Sequence, residues 1–336
     1  MLNSTDLITL RYTPDLTEAG IVYACRSLPF TYNRMGGSAF NRLRRIVAGK
    51  AVELAFRRYL ANQAVPFDNL GATPFTDPDH YDIALGGRRC DIKSFQFLQK
   101  ERIRRLRKDP GYLLQADALV PADQMASSQM SDNDLYIFAF LTALVTSQPG
   151  DLERALAAGQ PAFLIYPFPP AWAHPHTWRS LGRLVLSSRA AQPASLELGG
   201  QGPDRSFCTE RLNLPGQQPA PALQEYYSLA YLHTALPPDG PLNVYSPTLK
   251  QTHRIYPEKW GNIWVYGMEV ILAGYMARGE FRRRGQRLPA GSRVLQYDRT
   301  RTPNLALPIK DLHPLSDLLA RTRTWSNNVK RGTFHV

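Results

Sequence analysis

The segment His80–Phe97, HYDIALGGRRCDIKSFQF, carries two aspartates and a lysine, and its alternation of apolar and polar residues predicts a β-hairpin. A two-residue turn at Gly86–Gly87 would set Asp82 directly opposite Asp91. Side chains two positions apart share a face of a strand, so Lys93 would lie on the side of Asp91, about 6 to 7 Å further along. The pattern therefore predicts two opposed carboxylates with an ammonium group beside them.

Directly opposed like charges destabilise a β-sheet, and a bound divalent cation is the simplest reason for such an arrangement. Glu53 is a further candidate for the same site. It lies in the segment Phe40–Leu60, where apolar residues at helical spacing among Arg and Lys predict an amphipathic helix. A chain that runs from this helix through a strand into the hairpin can pack the helix against the same sheet, which would bring Glu53 towards the aspartates.

In order and spacing, Glu53, Asp82, Asp91 and Lys93 resemble the motif of the PD-(D/E)XK nuclease superfamily, which has a helical Glu, an Asp at the start of one strand and an acid-x-Lys on the next. The resemblance covers residues 40–145. It implies an α/β fold with a restriction-endonuclease-like mixed β-sheet flanked by helices. It also implies a metal-dependent endodeoxyribonuclease whose substrate is DNA, with duplex DNA favoured.

Hydrolysis of a phosphodiester bond requires a hard cation, a positioned water and stabilisation of the charge that develops on the phosphate. The resemblance implies that Asp82 and Asp91 hold Mg²⁺, for which Mn²⁺ can substitute, and that Glu53 completes the metal site through water or holds a second ion. Lys93 would orient or help to deprotonate the attacking water and would offset charge at the phosphate. The implied products carry a 5′-phosphate and a 3′-hydroxyl.

The first aspartate of the motif has an alternative. The literal Pro-Asp pair of the sequence is Pro78–Asp79, and in some members of the superfamily the acid directly after the proline is the metal ligand. Asp82 is preferred because the hairpin brings it opposite Asp91, whereas Asp79 would lie roughly 10 Å further down the strand. Asp79 therefore remains the fallback for Asp82.

Each motif residue also has an interpretation without catalysis. Taken alone, Asp91 and Lys93 are typical of an ion pair on a solvated strand face. Glu53 has Arg57 four positions further on, which is typical of an exposed salt bridge along a helix. The nuclease hypothesis depends on the combination of the four residues rather than on any one of them.

The 336-residue chain has a formal charge of +12, which favours a polyanionic partner such as nucleic acid. Residues 1–186 contain 21 basic and 17 acidic side chains, and residues 187–336 contain 19 and 11, so the second part is more basic. Dense charge is equally typical of a solvated surface. The cations that could contact DNA are Arg102, Arg104, Arg105, Arg107 and Lys108 directly after the hairpin, and Arg282, Arg283, Arg284 and Arg287 in the more basic part.

A shift in composition towards Pro, Gly, Gln and Ser at Ser187 predicts a domain boundary. Residues 1–186 would form the nuclease domain, and residues 187–336 a smaller, basic α+β domain that binds nucleic acid or regulates the nuclease. Asp134–Val145 is predicted as a buried strand, with a buried helix as the alternative. The other predicted elements are a hairpin over 195–214, a helix over 224–235 and a second hairpin over 292–309.

Other classes of protein find little support. The three cysteines are scattered, which argues against a disulfide framework or a zinc site and favours a reducing cytoplasm. The sequence contains no secretory signal, no run as long as a membrane span and no GxxxxGK[ST] phosphate loop, so neither a membrane nor a nucleotide cofactor is expected.

A cut in both strands would require two copies of the site, so a homodimer or a pairing of two chains induced by the substrate is expected. The expected nuclease would act in restriction, defence, repair or transposition. Two alternatives are a non-catalytic nucleic-acid-binding protein and a nuclease whose activity a ligand or partner controls through the C-terminal domain.

Overall fold

The computed structural model describes residues 1–30, 38–68, 82–126 and 130–332, with side chains as far as residue 324. The chain has a mixed α/β structure, as predicted. The helices are α1 Pro14–Ser27, α2 Ala39–Asn62, α3 Lys100–Lys108, α4 Ala122–Ala126, α5 Pro149–Ala157, α6 Pro170–Ala173, α7 Arg278–Arg284 and α8 Leu315–Gly332.

The strands of the described residues fall into four sheets. They are β1 Ile8–Arg11, β2 Ile83–Leu85, β3 Arg88–Phe97, β4 Asp117–Pro121, β5 Leu135–Leu144, β6 Leu164–Pro167, β7 Val185–Ser188, β8 Ala194–Gln201, β9 Phe207–Leu214, β10 Ala220–Pro221, β11 Ser228–Thr234, β12 Leu242–Ser246, β13 Gln251–Ile255, β14 Gly261–Asn262, β15 Tyr266–Ala277, β16 Gln286–Leu288 and β17 Asn304–Pro308. Within the described ranges, no helix is long and apolar enough to cross a lipid bilayer.

The chain divides into two compact units, and both are discontinuous in sequence. Unit 1 comprises Met1–Gly20, Ala48–Leu144 and Tyr266–Val336, and unit 2 comprises Ile21–Val47 and Val145–Val265. This division differs from the predicted domains 1–186 and 187–336, because Ser187 lies inside strand β7 of unit 2. The change in composition there reflects the turns of a β-rich unit rather than a linker.

The main sheet of unit 1 has the strand order β1-β15-β5-β3-β2. Strands β3 and β5 are parallel, and the other pairs are antiparallel. The predicted strand at Asp134–Val145 is confirmed as β5, nearly all of whose residues are buried, and the alternative of a buried helix is excluded. Apolar side chains can cover both faces of such a strand only where the sheet is covered on both sides.

Helices α2 and α3 lie on either side of the β2–β3 hairpin in the chain. Helix α2 contains the whole of the predicted segment Phe40–Leu60. Helix α3 is strongly basic, and only Ile103 and Leu106, three positions apart, are buried. They join the apolar core that Phe95 and Phe97 of β3 also enter, so strand β3 connects this core to the acidic hairpin.

The predicted hairpin over 292–309 is wrong. Of this segment, residues 304–308 form strand β17, which pairs with β16 on one side and with β4 on the other. Residues 292–300 instead form a compact turn in which Val294 and Tyr297 exchange backbone hydrogen bonds. Strand β17 therefore finds its partners at long range, where alternation along the sequence gives no information.

Unit 2 contains a five-stranded sheet of order β14-β6-β11-β8-β9 and a four-stranded sheet of order β10-β7-β12-β13. The predicted hairpin over 195–214 is confirmed by the antiparallel pair β8–β9. The predicted helix over 224–235 is wrong, because residues 228–234 form strand β11 between β6 and β8. Nearly every side chain of β11 is buried, and a strand covered on both faces lacks the alternation that distinguishes it from a helix.

Candidate active site

The β2–β3 hairpin has the register that the sequence predicts. Gly86 and Gly87 form the turn with φ angles of +55° and +73°, a conformation that glycine adopts without strain. Strand β2 pairs with β3 so that Ile83 lies opposite Cys90, which confirms the predicted alignment. Both of these side chains are fully buried and fix the alternation of the other residues. Asp82, which directly precedes β2, therefore lies opposite Asp91.

Asp82 is fixed at the entrance to β2 through its backbone and its side chain. Its N–H donates to the carbonyl of Cys90 at 3.0 Å, and its Oδ2 accepts the N–H of Ile92 at 2.6 Å. Arg57 of helix α2 donates to the Asp82 carbonyl oxygen at 2.7 Å. These contacts join helix α2 to the hairpin at the candidate site.

Lys93 is the most constrained of the site residues. Its Nζ donates to Oδ2 of Asp91 at 2.5 Å and to Oε1 of Gln124 at 2.7 Å, and it lies 5.5 Å from the centre of the Tyr136 ring. The side chains of Lys93 and Asp91 are only 11% and 23% exposed. The predicted ion pair therefore exists, but the alternative of a solvated strand face is wrong because most of the pair is covered.

Gln124 is a site residue that sequence reasoning missed. It lies on the short helix α4, which directly follows strand β4, and reaches Lys93 from 31 positions further along the chain. No motif or spacing in the surrounding PADQMA segment points to Lys93. Only the packing of α4 against the sheet brings the amide to the ammonium group.

Glu53 is 5% exposed, so the alternative of an exposed salt bridge is wrong about its environment. The predicted partner is correct, because Arg57 forms an ion pair with Oε1 of Glu53. Lys50 donates to the other carboxylate oxygen at 2.7 Å. Arg57 thus contacts both Glu53 and the backbone of Asp82, and it links the helical acid to the hairpin.

The electrostatics of the site raise the pKa of Asp82 to about 7. Burial is the largest cause, and repulsion by the carboxylates of Asp91 and Glu53 adds to it. The Ile92 N–H and the Lys93 ammonium group oppose the rise without cancelling it. Burial and the two neighbouring acids therefore favour the protonated form of Asp82 over the ionised form.

The described residues contain no group of three or more His, Cys, Asp or Glu side chains arranged to hold a metal ion. Mg²⁺ commonly takes only one or two protein carboxylates and completes its octahedron with water and substrate phosphate oxygens. The opposed aspartates Asp82 and Asp91 fit that smaller set of ligands. Glu53, which is already held by Lys50 and Arg57, fits an indirect role through water. Asp79, the fallback for Asp82, lies outside the described residues.

The first basic cluster lies on helix α3, directly after strand β3. Three of its cations have acidic partners in the chain, and Arg105 lies 4.1 Å from the centre of the Tyr112 ring. The ion pairs are Arg102–Asp298 at 2.7 Å, Arg104–Glu101 at 3.5 Å and Arg107–Glu269 at 3.3 Å. Arg104, Arg105, Arg107 and Lys108 are exposed. Exposed ion pairs contribute little to stability, so the same cations can turn to a phosphate backbone at small cost.

The second basic cluster lies on helix α7 and strand β16 of the same unit. Arg282 pairs with Asp132 at 2.7 Å, and Arg284 pairs with Glu280 at 2.8 Å. Arg283 and Arg287 are exposed. A cavity of about 430 Å³ is lined by Arg284 and Arg287 and also by Asp117 and Asp311, so its walls carry both signs of charge.

Comparisons of the whole chain with protein-family models, with curated proteins and with solved structures gave no match.

Proposed function

We propose that the chain is a Mg²⁺-dependent endonuclease that hydrolyses phosphodiester bonds in DNA, with Mn²⁺ as a possible substitute metal. One observation carries this proposal. In the acid-x-lysine pair Asp91–Lys93, Asp91 lies opposite Asp82 on a hairpin with a glycine turn, and the charge of Glu53 adds to the repulsion that raises the pKa of Asp82. The finer fold assignment, a restriction-endonuclease-like sheet, belongs to the same proposal.

The two aspartates would hold the metal ion. A divalent cation bound there would polarise a phosphate oxygen and lower the pKa of a coordinated water, which supplies the nucleophile at neutral pH. Asp82 directly precedes strand β2 and Asp91 lies on β3, and the turn fixes the register of these strands, so the two carboxylates do not have to be ordered when substrate binds. Their mutual repulsion favours occupation of the site by a cation.

Lys93 would act on the phosphate and on the attacking water. An ammonium group has three donors, and Asp91 and Gln124 accept two of them. The third can reach a phosphate oxygen or the attacking water. Because both acceptors hold the group in one position, Lys93 can offset developing negative charge without reorganising during the reaction.

Glu53 would support the site through its contacts with neighbouring side chains. Lys50 and Arg57 neutralise much of its charge, and Arg57 also holds the Asp82 carbonyl. A water bound to the metal could donate to Glu53, which would connect helix α2 to the hydration shell of the ion. The exposed cations of α3 would hold the phosphate backbone on either side of the scissile bond.

The test is a cleavage assay with the purified full chain and its Lys93→Ala variant. Supercoiled plasmid, linear duplex, single-stranded DNA and RNA are incubated with Mg²⁺, with Mn²⁺ and with EDTA. We expect the wild type to cut DNA only with a divalent cation and the variant to cut at a rate lower by about 10²- to 10³-fold. Equal cleavage by both proteins, or binding of nucleic acid without cleavage under any of these conditions, would contradict the proposal.

A further inference from the structure

The outer face of the four-stranded sheet in unit 2 combines exposed aromatic rings with cations. Strand β12 alternates strictly, with Leu242, Val244 and Ser246 buried, so Asn243 and Tyr245 point outwards. Tyr245 is 38% exposed. Its neighbours on the two flanking strands are Thr252 and Val185, which belong to the same outward set.

The edge strand β13 continues this surface. Arg254 lies opposite Asn243 and is exposed, and its Nε donates to Oδ1 of Asn243 at 3.1 Å. Tyr256 directly follows the strand and is 43% exposed. Arg189 directly follows strand β7 and is exposed. We call this surface the tyrosine–arginine face and define it by Arg189, Asn243, Tyr245, Thr252, Arg254 and Tyr256.

In the part of unit 2 that the structure describes, none of the ion pairs involves a residue of this face. The four strands of the sheet contain no Asp or Glu, and Arg183 and Lys250 add further cations at strand ends. The ion pairs described in unit 2 are Arg154–Asp151 and Arg211–Glu197, and both lie on other elements. The face therefore complements an anionic partner.

We infer that the tyrosine–arginine face binds single-stranded nucleic acid. Unstacked bases present flat π-surfaces that stack on exposed aromatic rings, whereas a duplex keeps its bases stacked inside and presents its grooves. Tyr245 and Tyr256 provide the rings. The Arg254 guanidinium, held against the sheet by Asn243, keeps N–H groups for a phosphate oxygen or a base edge.

This inference rests on the proposed function only in taking nucleic acid as the substrate. Binding to the face requires neither a metal ion nor any residue of the candidate active site. The face would give the protein a hold on a single strand that is independent of cleavage, so each activity can be lost without the other.

The test measures binding of the full chain by fluorescence anisotropy in EDTA, which prevents metal-dependent cleavage. The probes are fluorescein-labelled single-stranded DNA, single-stranded RNA and duplex DNA of one sequence. We expect Tyr245→Ala and Tyr256→Ala each to weaken single-strand binding by about tenfold and Tyr245→Phe to retain it, because the phenyl ring still stacks. The slope of log affinity against log salt concentration is negative, and Arg254→Gln should reduce its magnitude by about 0.7.

Matched controls come from exposed residues of unit 2 outside the face. Leu236→Ala removes an apolar side chain that is 67% exposed, and Arg154→Gln removes a cation on helix α5. Both should bind as the wild type does. Thermal melts monitored by circular dichroism show whether each variant is folded, and Tyr245→Phe keeps the comparison valid if Tyr245→Ala unfolds.

Several results would overturn the inference. They are unchanged single-strand binding by folded Tyr245→Ala and Tyr256→Ala, a loss of duplex binding in these variants as large as the loss of single-strand binding, and equal competition by poly-glutamate, which would indicate general attraction to anions. Cleavage in Mg²⁺ is scored separately on the same proteins. Single-strand binding that depends on the tyrosines, without cleavage, would support this inference and contradict the proposed nuclease function. Cleavage by the wild type, with unchanged single-strand binding by the tyrosine variants, would support the nuclease function and contradict this inference.

Discussion

The β2–β3 hairpin of unit 1 and the tyrosine–arginine face of unit 2 are both built on antiparallel strands, but they place their charges in opposite environments. The hairpin gathers acids and one lysine into a largely buried group in which the carboxylates repel one another. The tyrosine–arginine face leaves its cations and tyrosines open to solvent, with no acid on its strands.

This difference suits the hairpin to catalysis and the tyrosine–arginine face to binding. A buried group of like charges is costly unless a ligand compensates it, so such a group is typical of sites that bind an ion and activate a substrate. An exposed basic and aromatic surface costs little and reorganises easily, which suits binding to a long, flexible polyanion.

The largest effect should come from Asp91→Asn. This change keeps the shape of the side chain but removes one of the two opposed carboxylates, so we expect metal-dependent cleavage to fall by about 10³-fold or more. Tyrosine-dependent binding of single strands in EDTA should not change. The rate of plasmid cleavage measures the first effect, and anisotropy titration measures the second. A loss of both cleavage and single-strand binding in Asp91→Asn would contradict the assignment of these two functions to separate regions.

The next effect concerns stability against pH. Because the pKa of Asp82 is raised from 3.8 to about 7 in the folded chain, the native state binds more protons than the unfolded state between these values. The free energy of unfolding should therefore fall as pH rises from about 4 to about 7 and level off above that. A pKa difference of this size corresponds to at most about 4 kcal/mol.

Urea unfolding of the metal-free protein at pH 5 and pH 8 measures this fall. Asp82→Asn should reduce it, and millimolar Mg²⁺ at pH 8 should restore part of the stability because the cation binds the ionised carboxylates. A fall of the same size in Asp82→Asn would show that other groups cause it.

A smaller effect is expected for Gln124→Ala. Loss of the amide removes one of the two acceptors that hold Lys93, so we expect cleavage to slow by about tenfold, with Lys93→Ala slowing it further. Acylation of Lys93 by an N-hydroxysuccinimide ester, followed by mass spectrometry, should be faster in Gln124→Ala than in the wild type. Equal acylation would show that the amide does not constrain the ammonium group.

The smallest effect concerns the hairpin turn. Gly87 has a φ angle of +73°, so Gly87→Ala should destabilise the chain by about 1 kcal/mol through backbone strain. Gly150→Ala is the control, because Gly150 lies in the first turn of helix α5, where alanine is favoured. Chemical unfolding of both variants measures the difference, and equal stabilities would mean that the turn relaxes without strain.

Local chemistry made much of the hairpin predictable. The Gly86–Gly87 turn sets the register, and the two-residue period of a strand then fixes which side chains lie opposite one another. Helix α2 was predictable from the helical spacing of its apolar residues, and strand β5 from its long apolar run. Strand β11 was not predictable, because burial on both of its faces removes the alternation and its apolar run, Leu229–Leu232, is only four residues long.

The sequence by itself determined the opposed aspartates, the lysine beside them and the charge of the chain, because a turn, a strand period and a composition are properties of neighbouring residues. Only the tertiary structure decided that Gln124 holds Lys93, that Glu53 is buried, and that β15 lies between β1 and β5 in the hairpin's sheet. These contacts join residues far apart in the chain. They depend on which apolar faces pack together, and many partners could satisfy each face until the whole core is assembled.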